Sequence, residues 1–466
     1  MSEKIRNDRQ ERGPLLHAAL VFLLYAYFLL WPVNFYLAQS LAVHYYPAAV
    51  AALAALYYAR RRPGERLEVR LYGLYCLWFF LTRVLNGDVA LLQEFPLAIG
   101  QLLCCMTLAA GPQLSARGRE RLLLCTAALL GAFGFALGCC GIAAALLDVS
   151  IRNPITDSFI AGLGIYSGLK RLGVLDTNPN ISAMWFFLSL CMLAWLFACC
   201  GGKKRLWRVP VVLAAAAVFT ALALTYSRNV KILCAACVGM LVVLAVLRLL
   251  RGRSKALLAL VLVLAVAVAV PASYLSFQAA TEVIARAAVQ RPAAETAQPA
   301  GTDGAEADEA PAARTGSFSD HRAWNQDSGR LQIFRSAFTT LQRDPLRLLR
   351  GCLSKDEMSI ANTVLSKTKA HFHNTYLQIL VLTGLPGFLL MAAICALLAW
   401  KSLRLFFTAA APMTLRLLAL PLLGSLVYNL LEVDLFMETD MRTLTFFLLA
   451  GILLGGAYEL WPPRRK

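Results

Sequence analysis

Apolar residues along this chain come in blocks of about 20, the length that crosses a bilayer core, broken by polar or basic stretches. Twelve such blocks are read, at about 16–39, 41–59, 71–86, 90–111, 122–147, 181–200, 209–226, 229–250, 256–275, 374–400, 415–435 and 443–460. They predict an all-α polytopic membrane protein of about twelve transmembrane helices. The first block, from Leu16, is too long for a signal-peptide core and lacks a small-residue cleavage site, so it reads as a first span. Every second break is basic, as in Arg60-Arg61-Arg62, Arg117 to Arg121, Lys203-Lys204-Arg205, Arg248 to Lys255 and Arg464-Arg465-Lys466. More than half of the 45 Lys+Arg lie in these breaks or the basic N-terminus. Short cytoplasmic loops hold such an excess, so the alternation predicts both termini inside.

Two breaks on the opposite side are long. One covers about 148–180. The other covers 276–370 and divides spans one to nine (1–275) from spans ten to twelve (371–466). Within it, 291–315 contains no aromatic residue and no Val, Ile, Leu or Met. That composition cannot bury a core and predicts disorder. Residues 328–343 place Leu331, Phe334, Phe338 and Leu341 at helical spacing, which predicts an amphipathic helix lying on the membrane face.

Composition agrees with a membrane protein: 59% of the 466 residues are hydrophobic and 15% charged. The net charge of +18 lies in short clusters between apolar runs. It therefore reads as a topology signal, and no nucleic-acid partner is expected. The 13 cysteines lie mostly inside apolar runs, without zinc-finger spacing. They read as small hydrophobes, with no disulfide framework and no metal site.

Candidate chemistry collects at the outer ends of the spans. His371 and His373, two of only five histidines, sit where the long loop enters span ten. They could be catalytic, or helix-entry residues at headgroup level; as a metal pair at i,i+2, without a clear third ligand, they are weak. Arg228 lies in Thr225-Tyr-Ser-Arg-Asn229, between two spans with almost no loop, and either snorkels to the interface or binds an anion. Arg171 opens a segment ending in Asn178-Pro-Asn180, where Asn180 reads as the N-cap of the next span. Arg330 starts the amphipathic helix. Glu432 and Asp434, near the outer end of span eleven, could pair with Arg442 or another outer arginine, or orient an acceptor. Several arginines at one surface suit a diphosphate, and a neutral histidine suits proton abstraction from a sugar hydroxyl.

Four blocks resemble the O-antigen ligase and polymerase superfamily, in its order: Arg171-Leu-Gly with Asn178-Pro-Asn180, Ser227-Arg228, Gly329-Arg330 with Asp344-Pro345, and His373-Asn374 followed by Gly384 and Gly387. The chain departs at Asn229, where the family commonly has Gly, and after Pro345, where Leu-Arg-Leu-Leu-Arg-Gly replaces a Gly-rich turn. The resemblance implies a GT-C-like fold and a metal-independent, inverting glycan transfer without cofactor, on the outer face of the bacterial cytoplasmic membrane. The donor would be an undecaprenyl-diphosphate-linked glycan, and the acceptor a lipid-anchored or glycan hydroxyl such as lipid A–core. By carry-over, His373 activates the acceptor, Arg171, Arg228 and Arg330 hold the diphosphate, and His371, Asn374, Tyr376, Gln378, Asn180 and Ser227 line the site. Polymerases that join repeat units share these blocks. A transporter of lipid-linked sugars is the reading from another class, but the spans carry few mid-helix charges.

Overall fold

The computed structural model describes residues 66–85, 91–152, 159–166, 169–174, 178–200, 202–250, 255–289, 330–343, 345–351, 372–432 and 441–461. The helices are α1 (Leu67–Leu85), α2 (Leu91–Ala110), α3 (Ala116–Leu147), α4 (Pro179–Cys199), α5 (Arg208–Leu224), α6 (Arg228–Leu249), α7 (Lys255–Val289), α8 (Arg330–Arg343), α9 (Pro345–Arg350), α10 (Thr375–Phe407), α11 (Met413–Leu417), α12 (Ala419–Tyr428) and α13 (Met441–Leu460). Among the described residues, seven helices are long and apolar enough to cross a membrane. The spans expected at 16–39 and 41–59 lie outside the described residues, as do 291–315, His371 and Asp434.

The helical class holds, with one addition. The break after α3 contains a three-stranded antiparallel sheet, β1 (Ile151–Arg152), β2 (Phe159–Tyr166) and β3 (Leu169–Val174). Its short runs are interrupted by Gly162, Gly164 and Gly173, which hides the strand pattern in the sequence. Three further boundaries differ from expectation. The helix of span nine, α7, continues past residue 275 to Val289. Span eleven is two short helices, α11 and α12, and the chain turns after Tyr428. The amphipathic helix forms as α8, but it buries Ile333, Ala337 and Leu341 and leaves Phe338 exposed. Spacing marked a helix there, and the buried face shares Leu341 with the expected stripe but takes Ala337 in place of Phe338.

The chain forms two compact units. The first comprises Met1–Leu130, Cys191–Arg208 and Asn325–Lys466; the second comprises Gly131–Leu190 and Val209–Trp324. In the first unit, α10 packs against α1, α9 and α12, and α13 packs against α2. Tyr72 stacks on Phe447 with ring centroids 4.7 Å apart, and its hydroxyl donates to Gln101 Oε1 at 2.8 Å. At the opposite end of α10 from His373, Lys401 pairs with Glu68, and the hydroxyl of Tyr458 donates to the same carboxylate. This ionic staple ties α1, α10 and α13 together, and each buried charge has a partner there.

In the second unit, α6 packs against α7. Small residues on α3 let neighbours approach closely, as is usual between membrane helices. A Cβ at Gly134 would meet the Ser189 side chain, and one at Gly138 would lie 3.3 Å from the Ala217 backbone. A Cβ at Gly141 would lie 2.7 Å from Leu172 Cδ2. Leu172 and Val174 of β3 are buried, so the sheet is seated through that strand. Strand alternation then puts Arg171 on the other face of β3.

Candidate active site

Each of the two units carries one cluster of the candidate side chains, the first around His373 and the second around Arg171 and Arg228.

In the first unit, α10 begins immediately after His373. Asn374 is its N-cap: the side chain accepts from Leu377 N at 2.9 Å, which satisfies one orphan amide of the first turn. The start of α10 meets the end of α12, and the donors of one complete the acceptors of the other. Thr375 N donates to the carbonyls of Asn429 (2.9 Å) and Glu432 (3.2 Å), while Asn374 Nδ2 donates to Leu430 O at 3.0 Å. The Thr375 hydroxyl lies against Asn429 Oδ1 and Glu432 O. Tyr376 Oη donates to Leu426 O at 2.9 Å. Gln378, buried, accepts the amide of Phe372 at 3.1 Å through Oε1. The placement of Tyr376 and Gln378 is therefore to hold the entry to α10 in shape.

That lock fixes His373. Its backbone is left-handed, with φ 51, an uncommon conformation for a residue with a side chain. Its Nδ1 lies 3.1 Å from Glu432 Oε2. The imidazole is partly open, with 23% of the side chain exposed, whereas the Glu432 side chain is 6% exposed. A carboxylate oxygen accepts, so Nδ1–H is the donor in this contact, and in the neutral imidazole the lone pair is then on Nε2. Sequence reading singled out Glu432 as a partner for an outer arginine or as a group orienting the acceptor; its carboxylate also meets the histidine.

The two glycines downstream have a structural reason. Gly384 has φ 68 inside α10, next to Pro386, and the helix kinks there. A Cβ on Gly384 would meet the carbonyl of Leu349, and a Cβ on Gly351 (φ 78) would meet that of Leu382. The end of α9 therefore touches α10 backbone to backbone. Trp78 Nε1 donates to Thr383 O at 2.7 Å, occupying a carbonyl exposed by the kink. Gly387 has no space for a side chain, because a Cβ would overlap that of Thr383. Arg330 opens α8, in the same unit.

In the second unit, β3 pairs Arg171 with Gly164 of β2. Arg171 Nε donates to Thr225 O at 2.8 Å, and its Nη2 donates to Asn180 Oδ1 at 3.0 Å. Asn180 is not the cap of α4, as the sequence suggested. Asn178 accepts the amide of Asn180 through Oδ1 at 3.0 Å and takes the capping role, leaving the Asn180 side chain for the arginine. The fork of Arg171 thus ties the sheet, the start of α4 and the turn between α5 and α6.

That turn is Thr225–Ser227. The Thr225 hydroxyl donates to Leu222 O at 2.7 Å and accepts from Ser227 N at 3.3 Å. Tyr226 is left-handed, with φ 51. Ser227 is the N-cap of α6, and Arg228 is its first helical residue. Sequence reading missed Lys231, a lysine buried in the first turn of α6, although a lone basic residue three positions after Arg228 was the available signal.

Among the described residues, no group of three or more His, Cys, Asp or Glu side chains could hold a metal ion. A comparison with curated proteins gives no match. Residues 211–392 match the family model described as O-antigen ligase, a stretch that includes Ser227, Arg228, Arg330, His373, Gly384 and Gly387. Over that stretch the chain is similar to the O-antigen ligase family, and among its described residues seven helices are long and apolar enough to cross a membrane.

Proposed function

We propose that this protein is a glycosyltransferase of the ligase type, moving a glycan from an undecaprenyl-diphosphate carrier to a sugar hydroxyl at the outer face of the cytoplasmic membrane. The observation that carries the reading is the His373–Glu432 contact, a partly open imidazole oriented by a buried carboxylate. Such a pair is the arrangement a general base needs.

In the reaction, His373 Nε2 takes the proton of the acceptor hydroxyl as that oxygen bonds to the anomeric carbon. The bond from that carbon to the diphosphate oxygen breaks from the opposite side, so the centre inverts. Glu432 accepts the Nδ1 hydrogen bond throughout and stabilises the imidazolium that forms. The proton then passes to solvent. A diphosphate departs readily once its developing charge is balanced, and Arg171, Arg228 and Arg330 are the cations assigned to it. Arg171 also holds the turn that carries Arg228, through Thr225 O.

The test is transfer by purified protein with an undecaprenyl-diphosphate-linked oligosaccharide, in EDTA, comparing the wild type with His373→Ala. Product on a lipid A–core acceptor, lost in the variant, assigns a ligase. A ladder built from donor alone assigns a polymerase instead. No product from any acceptor, with donor translocated across vesicles, would overturn the enzyme reading.

A further inference from the structure

Lys231 is a lysine in a membrane-spanning helix, only 7% exposed, that nothing above employs. It follows Arg228 by three residues and Ser227 by four, the two spacings that make helical neighbours, so Lys231 adjoins each of them in the first turn of α6. Helical side chains lean toward the N-terminus, which directs a long lysine back to that end. Its ammonium lies 5.0 Å from the centroid of the Tyr226 ring, consistent with that direction. The first turn of α6 carries no acidic residue.

A second observation points to a ligand. Ser227 occupies the N-cap position but makes no side-chain cap bond. Its hydroxyl is fully buried and has no hydrogen-bond partner. Buried hydroxyls are nearly always satisfied, so one left over beside two cations and a helix N-terminus marks a place for an anion.

Resting on the donor reading above, we infer that Ser227, Arg228 and Lys231 form a two-step phosphate seat, in which Lys231 takes the second phosphate of a polyprenyl diphosphate and so distinguishes it from a monophosphate. Arg228 and Lys231 are offset along the helix axis by about 4.5 Å, three residues at 1.5 Å each. An anion with two phosphoryl groups engages both cations; a monophosphate engages one. The ammonium, a compact point charge, suits the deeper position, and the guanidinium fork suits the outer one.

The experiment is binding of undecaprenyl diphosphate and undecaprenyl monophosphate to the full chain in detergent, for wild type, Lys231→Met, Ser227→Ala and Arg228→Ala. Lys231→Met is expected to weaken the diphosphate about tenfold or more, the worth of one charge-assisted hydrogen bond, and to leave the monophosphate within about twofold. Ser227→Ala is expected to weaken the diphosphate by about two- to fivefold without lowering thermal stability, because it removes no hydrogen bond of the free protein. That variant keeps the test decisive should Lys231→Met fold poorly. Equal weakening of both lipids by Lys231→Met, or of neither, overturns the proposal. So does displacement of the diphosphate by phosphatidylglycerol at equal concentration, which would make the seat a general lipid-phosphate contact. If Arg228→Ala loses the diphosphate while Lys231→Met and Ser227→Ala keep it, the donor reading stands and the second step falls. If the wild type binds neither prenyl lipid, both fall together.

Discussion

Glu432 Oε2 sits 3.1 Å from His373 Nδ1, although the two residues are 59 positions apart and belong to different helix ends. The carbonyl of the same Glu432 accepts from Thr375, so backbone and side chain of one residue hold both the helix entry and the imidazole. This double attachment makes the histidine a positioned group, and several consequences can be measured.

Replacing His373 with Ala should lower transfer by about 10²–10⁴-fold, the usual contribution of a general base, with donor affinity unchanged. Glu432→Gln keeps the shape and the hydrogen-bonding reach but removes the charge. It is expected to lower kcat by about tenfold or more while KM for donor stays within about twofold, because only the imidazolium formed during reaction loses a partner. Steady-state kinetics on both variants, with equal yields from size exclusion, checks this. A Glu432→Gln enzyme with wild-type kcat would remove the carboxylate from the mechanism.

Thr375→Val removes a hydroxyl that serves Asn429 and Glu432 at once. The variant is expected to lose about 1–3 kcal/mol of stability, since buried acceptors are left unsatisfied. It should also lose activity, because the turn carrying Glu432 loosens. Thermal unfolding followed by tryptophan fluorescence, together with kcat, reports the two effects side by side.

Gly384→Ala places a Cβ at φ 68 against the carbonyl of Leu349. Strain and backbone overlap together should destabilise the protein by about 1–3 kcal/mol or more. The affected contact lies between α9 and α10, far along the helix from the imidazole. A lower melting temperature with little change in KM for those molecules that remain folded is the expected result, and an unchanged melting temperature would contradict the backbone-contact account.

Arg171→Lys keeps the charge but cannot donate to Thr225 O and Asn180 Oδ1 in the same fixed plane. Activity should fall by about tenfold or more, the worth of one charge-assisted hydrogen bond. Asn180→Ala should fall less, because Nε of Arg171 still holds the turn. If the lysine variant matches the wild type, Arg171 acts only as a point charge. Arg228→Lys tests the same distinction at the next position, read as donor affinity.

Much of this protein was legible in the chain itself. Hydropathy and the alternation of basic breaks are local quantities summed over about 20 residues, so α3, α4, α5, α6 and α13 fall close to where the sequence put them. The His373 and Arg228 motifs are likewise contiguous, and their places at helix starts follow from short-range signals. The tertiary structure decided the rest. Nothing local tells that Glu432 meets a histidine 59 positions away, because that pairing depends on the end of α12 capping the start of α10. Asn178 and Asn180 compete for one capping role, and the fork of Arg171, nine residues before Asn180, settles which of them takes it. The buried face of α8 and the need for Gly384 follow from what packs on them. Periodicity and composition report how a segment meets water or lipid, while partners distant in sequence are fixed only once backbone groups have been brought into contact.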